Sequence, residues 1–136
     1  MTDDDLDFVT NATAEVVTAS KEGEDGAVQA LVLSVYRRCG YPGWFAMVWI
    51  LAGLIDKLSP PGAAAVFVTI RELADPADST PRWCERFIRV RARGGNAACG
   101  RMFGDHPELM LRRLHCLAGM AGGAVAAAES AGTTGQ

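Results

Sequence analysis

The chain has 136 residues, of which 49% are hydrophobic and 21% charged, and a formal net charge of −3. These proportions are those of an ordinary soluble globular protein, and they set aside collagen-like and disordered classes. The size suits a single domain, which at about 150 residues buries roughly 68–70% of its unfolded surface and needs no metal or disulfide staple.

Charge is spread unevenly. Residues 1–30 carry eight acids and one base, whereas residues 82–113 carry eight arginines and three acids. Such asymmetry marks either a nucleic-acid surface or two regions of one protein that face each other. Arginine greatly outnumbers lysine, and alanine and glycine are abundant. That usage fits a GC-rich genome and suggests a bacterial source.

The first predicted helix covers residues 2–20. Thr2 can cap it, and Asp3, Asp4 and Asp5 occupy the first turn, where carboxylates favour the positive helix end. Leu6, Val9, Val16 and Val17 supply a partial apolar stripe. After a polar break at residues 21–26, Asp25 can cap a second helix that runs to Arg38. Its residues Val28, Leu31, Val32, Val35, Tyr36 and Cys39 recur at helical spacing and form one apolar face. Gly40 is placed as its C-cap, and Pro42 sits in the first turn of the next helix.

That next segment, residues 42–59, is the predicted centre of the fold. Trp44, Met47, Val48, Leu51, Leu54, Ile55 and Leu58 line one side, and Phe45, Trp49 and Ile50 fill most of the other. A helix apolar nearly all round is a buried one.

Ser59-Pro60-Pro61-Gly62 breaks the chain, and residues 63–74 follow. Val66 to Ile70 have strand propensity, but no second strand-like run exists to pair with them, which decides for helix. Thr80-Pro81 starts another helix, with Thr80 as cap, that ends near Arg93 before Gly94-Gly95. Residues 96–104 read as a short helical turn. Asp105 caps the last helix, which extends to about Glu129. The expectation is an all-α, bundle-like single domain over residues 1–129, with about six helices around residues 42–59. Residues 130–136 are expected to be a disordered tail.

Chemistry-bearing features are few. Arg82, Arg86, Arg89 and Arg93 recur at i, i+4, i+7 and i+11, so they share one helix face. A row of guanidiniums can meet phosphates bidentately and without reading sequence. The same row is otherwise a solvated face, partly neutralised by Glu85 and by the acidic first helix. Gly119 and Gly123, followed by alanines, let another helix or another subunit approach closely.

His106, His115, Cys99 and Cys116 are metal-ligand types, but His115 and Cys116 are adjacent and diverge by about 100° on a helix. No metal site is predicted. No two of the four cysteines have C-x-x-C spacing, so Cys39, Cys84, Cys99 and Cys116 read as reduced and mostly buried thiols. There is no glycine-rich phosphate loop and no pair of carboxylates in an apolar setting, so no cofactor and no enzymatic activity are predicted.

The uncharged run from Tyr41 to Ile55 is shorter than the roughly 20 residues that cross a bilayer, and the start of the chain is acidic where a secretory signal is basic. A cytoplasmic protein with no membrane association is the expectation. By elimination, and from the surplus of apolar surface at Trp44 and Trp49, the function expected is a non-enzymatic protein–protein interaction module. It would be an adaptor, regulator or assembly protein that binds another protein or a second copy of itself. The alternative is nucleic-acid binding through Arg82, Arg86, Arg89 and Arg93.

Overall fold

A computed structural model describes residues 1–58, 75–104 and 106–134. All regular structure among these residues is helical: α1 (Asp3–Lys21), α2 (Asp25–Leu58), α3 (Thr80–Ala92), α4 (Asn96–Phe103) and α5 (Pro107–Thr134). The helix predicted over residues 63–74 and the cap predicted at Asp105 lie outside the described residues.

α1 starts at a reciprocal cap. The Thr2 hydroxyl accepts from the Asp5 N–H, and the Asp5 carboxylate accepts from the Thr2 N–H, both at 3.1 Å. Two of the orphan donors at the helix start are thereby satisfied. Val9 and Val16 have no exposed surface, and Thr13 between them donates its hydroxyl to the Val9 carbonyl at 2.6 Å. That bond lets a polar residue sit in the core without an unsatisfied group.

α2 is two limbs joined at Gly40, whose φ of 65° and ψ of −152° interrupt the helix. Only glycine adopts this backbone at low cost, and Pro42 then restarts the helix at once. The limbs stay in contact across the kink. The Trp44 indole N–H donates to the Val32 carbonyl at 2.9 Å, and the Trp44 ring lies 4.5 Å from that of Tyr36. Gly43 supplies the clearance: a Cβ there would stand 3.0 Å from Val35 Cγ1.

α1, α3 and α5 all pack on α2. Buried apolar side chains from all five helices form one continuous cluster, with Met47, Leu51 and Ile55 of α2 among its fully buried members. By length and composition alone, α2 is one helix apolar enough to cross a membrane. Its inner face is occupied by the protein's own core.

Two boundaries and one charge pairing differ from the sequence reading. Thr80 is the first residue of α3 rather than its cap; Ser79 holds the cap position without a side-chain bond, and Asp78 Oδ1 accepts from the Thr80 N–H at 2.9 Å. A carboxylate two residues ahead thus takes over the capping role. α5 runs to Thr134, so residues 130–134 extend the helix where a disordered tail was expected. The alanine-rich stretch before them propagates the helix, and no proline stops it. In the acidic start of the chain it is Arg38, not the arginine row, that takes an ion pair among the described residues: Arg38 Nε lies 3.2 Å from Asp5 Oδ1, and its guanidinium stacks 4.4 Å from the Phe8 ring centre. α1 packs along α2, so the nearest cation is on α2.

Candidate functional site

The second limb of α2 has apolar residues on two faces, and the fold covers them unequally. Trp44, Met47, Val48, Leu51 and Ile55 are buried. Phe45, Ala46, Trp49 and Ile50 are only partly covered. With Leu6 of α1 on one wall and Asn96 of α4 on the other, these four line an apolar groove of about 350 Å³. Leu6 keeps 45% of its surface exposed.

The groove floor is built from aromatic contacts. Phe45 stacks on Trp49 at 6.1 Å between ring centres and meets Phe103 edge-on at 5.3 Å. The Arg91 guanidinium lies 4.4 Å above the Trp49 ring. Gly53 makes that possible, because a Cβ there would stand 2.7 Å from Arg91 Nη2. Arg91 Nε is buried and has no hydrogen-bond partner among the described residues. The π face of Trp49 is what its charge meets instead.

The walls differ in charge. Within one turn of Leu6, Asp3 and Asp7 are exposed and make no ion pair among the described residues; Asp4, equally free of ion pairs, lies further round the helix. Beside Asn96 stand Arg91 and exposed Arg93, likewise without a carboxylate partner among the described residues.

Arg82, Arg86, Arg89 and Arg93 are all exposed along α3. Arg89 forms an ion pair with Glu85 one turn earlier. Behind the row, Trp83, Cys84 and Phe87 face inward; the Trp83 N–H donates to the Met102 carbonyl at 3.1 Å. Cys84 is buried and its thiol donates to the Arg113 carbonyl at 3.6 Å, so it is a core residue and not an accessible nucleophile. Arg113 stacks 4.4 Å over Trp83, and burial pulls its pKa below the ordinary arginine value. Cys99 is also buried, and burial pushes its thiol pKa up, against a smaller opposing effect of Arg91. None of the four cysteines forms a disulfide among the described residues.

Comparison of the chain with protein-family models, with curated proteins and with solved structures gives no match.

The remaining predicted residues fall in two places. Trp44 is 2% exposed, so it serves helix packing within the chain. Near the middle of α5, α1 comes close at Gly122: a Cβ there would stand 2.9 Å from the Lys21 backbone nitrogen. Gly123 is half-buried, and Gly119 lines a polar cleft of about 700 Å³ together with Asp25, Asp78, Arg112 and His115. His115 and Cys116 do diverge: Cys116 is 4% exposed in the core, while His115 faces the cleft with Nε2 buried and unpartnered among the described residues. Among the described residues, no group of three or more His, Cys, Asp or Glu could hold a metal ion.

The groove residues Leu6, Ile50 and Asn96 carried no signal in the sequence that set them apart from core or cap positions. Spacing places Phe45, Trp49 and Ile50 on the outer side of the central helix, but it does not say that this side stays uncovered.

Proposed function

We propose that this chain is a non-enzymatic protein–protein interaction module that self-associates, built as a bundle of about six helices around residues 42–59. The observation that carries the reading is the groove at Phe45, Ala46, Trp49 and Ile50, with Leu6 45% exposed on its wall. A contiguous apolar recess rimmed by charge is the anatomy of an interface core and its rim. Aromatic residues such as Trp49 anchor interfaces of this kind.

Light scattering coupled to size exclusion tests it. The parent chain should elute as a dimer or larger, and Ile50→Lys should be monomeric with unchanged helical circular dichroism. A monomeric parent at high micromolar concentration, or an Ile50→Lys variant that remains associated, overturns the reading.

A second reading is favoured by the arginine row. Arg86 and Arg93 are exposed and make no ion pair among the described residues, and Asp5 of the acidic start of α1 pairs with Arg38. Phosphate contacts along a nucleic acid fit such a row, and steep salt dependence distinguishes this binding from apolar association.

A further inference from the structure

We infer that the occupant of the groove is a second copy of this chain, related by a two-fold axis that lays the acidic wall of each copy on the basic wall of the other. The inference rests on the self-association just proposed and adds its geometry.

A two-fold interface uses the same patch on both subunits, so the patch must complement itself. A patch of one sign fails this requirement, because rotation sets like charges opposite each other. The groove meets it. Its middle is uncharged: Phe45, Ala46, Trp49 and Ile50. On one side stands the start of α1, with Asp3 and Asp7 exposed within one turn of Leu6. On the other stand Arg93, three residues before Asn96, and Arg91 on Trp49. A two-fold axis through the middle exchanges the walls, and acid meets base on both sides of the axis. Leu6 of each copy then enters the groove of the other and gives up its 45% exposure.

The charges are free to do this. Asp5, the one acid of the first turn with a cation partner among the described residues, is held by Arg38 at 3.2 Å. Asp3, Asp4 and Asp7 have no ion pair among the described residues, nor do Arg91 and Arg93. Unpaired opposite charges around an apolar centre orient an encounter and fix its register.

Two charge-reversed full-length chains test the geometry. One carries Asp3→Lys and Asp7→Lys; the other carries Arg93→Glu and Asn96→Glu, leaving Arg91 on Trp49 undisturbed. Each alone should dimerise more weakly than the parent by roughly a hundredfold. An equimolar mixture should recover a heterodimer, resolved by native mass spectrometry, because opposite walls are then matched on both sides. Circular dichroism establishes that both variants are folded. A dimeric parent whose two variants dimerise as well as it does overturns the geometry and leaves self-association standing. So does a mixture that forms no heterodimer while the parent dimerises. A monomeric parent overturns the self-association itself.

Discussion

The Arg91 guanidinium carbon stands 4.4 Å from the centre of the Trp49 ring, in a space that exists because residue 53 has no side chain. The pair joins α3 to the outer face of α2 and forms part of the groove's basic wall. It also gives the charge a partner where the buried Nε finds no hydrogen-bond acceptor among the described residues. An exposed cation–π contact contributes about 0.5–1 kcal/mol, and a desolvated one more.

Gly53→Ala places a methyl group 2.7 Å from Arg91 Nη2. The obstructed atom is the end of a flexible side chain, so Arg91 moves off Trp49 at low cost. Alanine gains about 1 kcal/mol of helix propensity over glycine, which roughly offsets the lost contact. Urea unfolding should therefore show a stability within about 1 kcal/mol of the parent. Tryptophan emission should shift to the red as Trp49 gains solvent. An emission spectrum identical to the parent's would mean the guanidinium had kept its seat.

Gly122→Ala should behave oppositely. Its new Cβ would stand 2.9 Å from the Lys21 nitrogen and 3.2 Å from the Ser20 carbonyl carbon, both backbone atoms that cannot rotate away. Overpacking of this kind costs about 1–3 kcal/mol. Gly100→Ala in α4 is the control, because a Cβ there meets nothing within 4 Å. It should stabilise by up to about 1 kcal/mol. Two substitutions of the same type would then move the urea midpoint in opposite directions; a common direction would refute the close approach of α1 to α5.

Acid should weaken the fold through two capping carboxylates. Hydrogen bonds from the Thr2 backbone and hydroxyl lower the Asp5 pKa, and those from the Thr80 hydroxyl and backbone lower that of Asp78. Between the depressed folded values and the ordinary carboxylate value of about 4, the unfolded chain binds more protons than the folded one. Stability therefore rises with pH across that window, is complete above it, and is lost as pH falls through the folded values. Urea midpoints measured from about pH 6 down to about pH 2 should trace this decline. Asp5→Asn and Asp78→Asn should each flatten it, and an unchanged acid limb in both would show that neither carboxylate is held by its cap.

The arginine row has its own test. If it meets phosphates, the chain should bind duplex or single-stranded nucleic acid at low salt, with log affinity falling linearly against log salt. Arg86→Ala should weaken all sequences alike and flatten the slope by about one unit. Its effect on stability should be small, because Arg86 is exposed and makes no ion pair among the described residues. Absence of binding at low salt would end the nucleic-acid reading and leave the row as a solvated face.

Local chemistry alone determined much of this chain. Thr2 before three aspartates marks the start of α1, and Gly40 with Pro42 marks the kink in α2. The periodicity of Val28, Val32 and Val35 marks the inner face of the first limb, and all three are buried. These signals act over one or two helical turns, which is the range at which a sequence constrains its own backbone. Tertiary structure alone decided the rest. Trp44 and Trp49 are equally apolar residues on two sides of a helix that is apolar nearly all round, so spacing separates them without saying which side stays uncovered. Only the position of Val32 gives Trp44 a hydrogen-bond acceptor in the core, and only the approach of α3 gives Trp49 its arginine. Gly122 receives the backbone of α1 for the same reason: spacing marks a run of small residues in α5, and the crossing of two helices decides what Gly122 meets. Asp5 chose Arg38 over the arginine row because charges pair with whatever cation the packing of helices brings within a few ångströms.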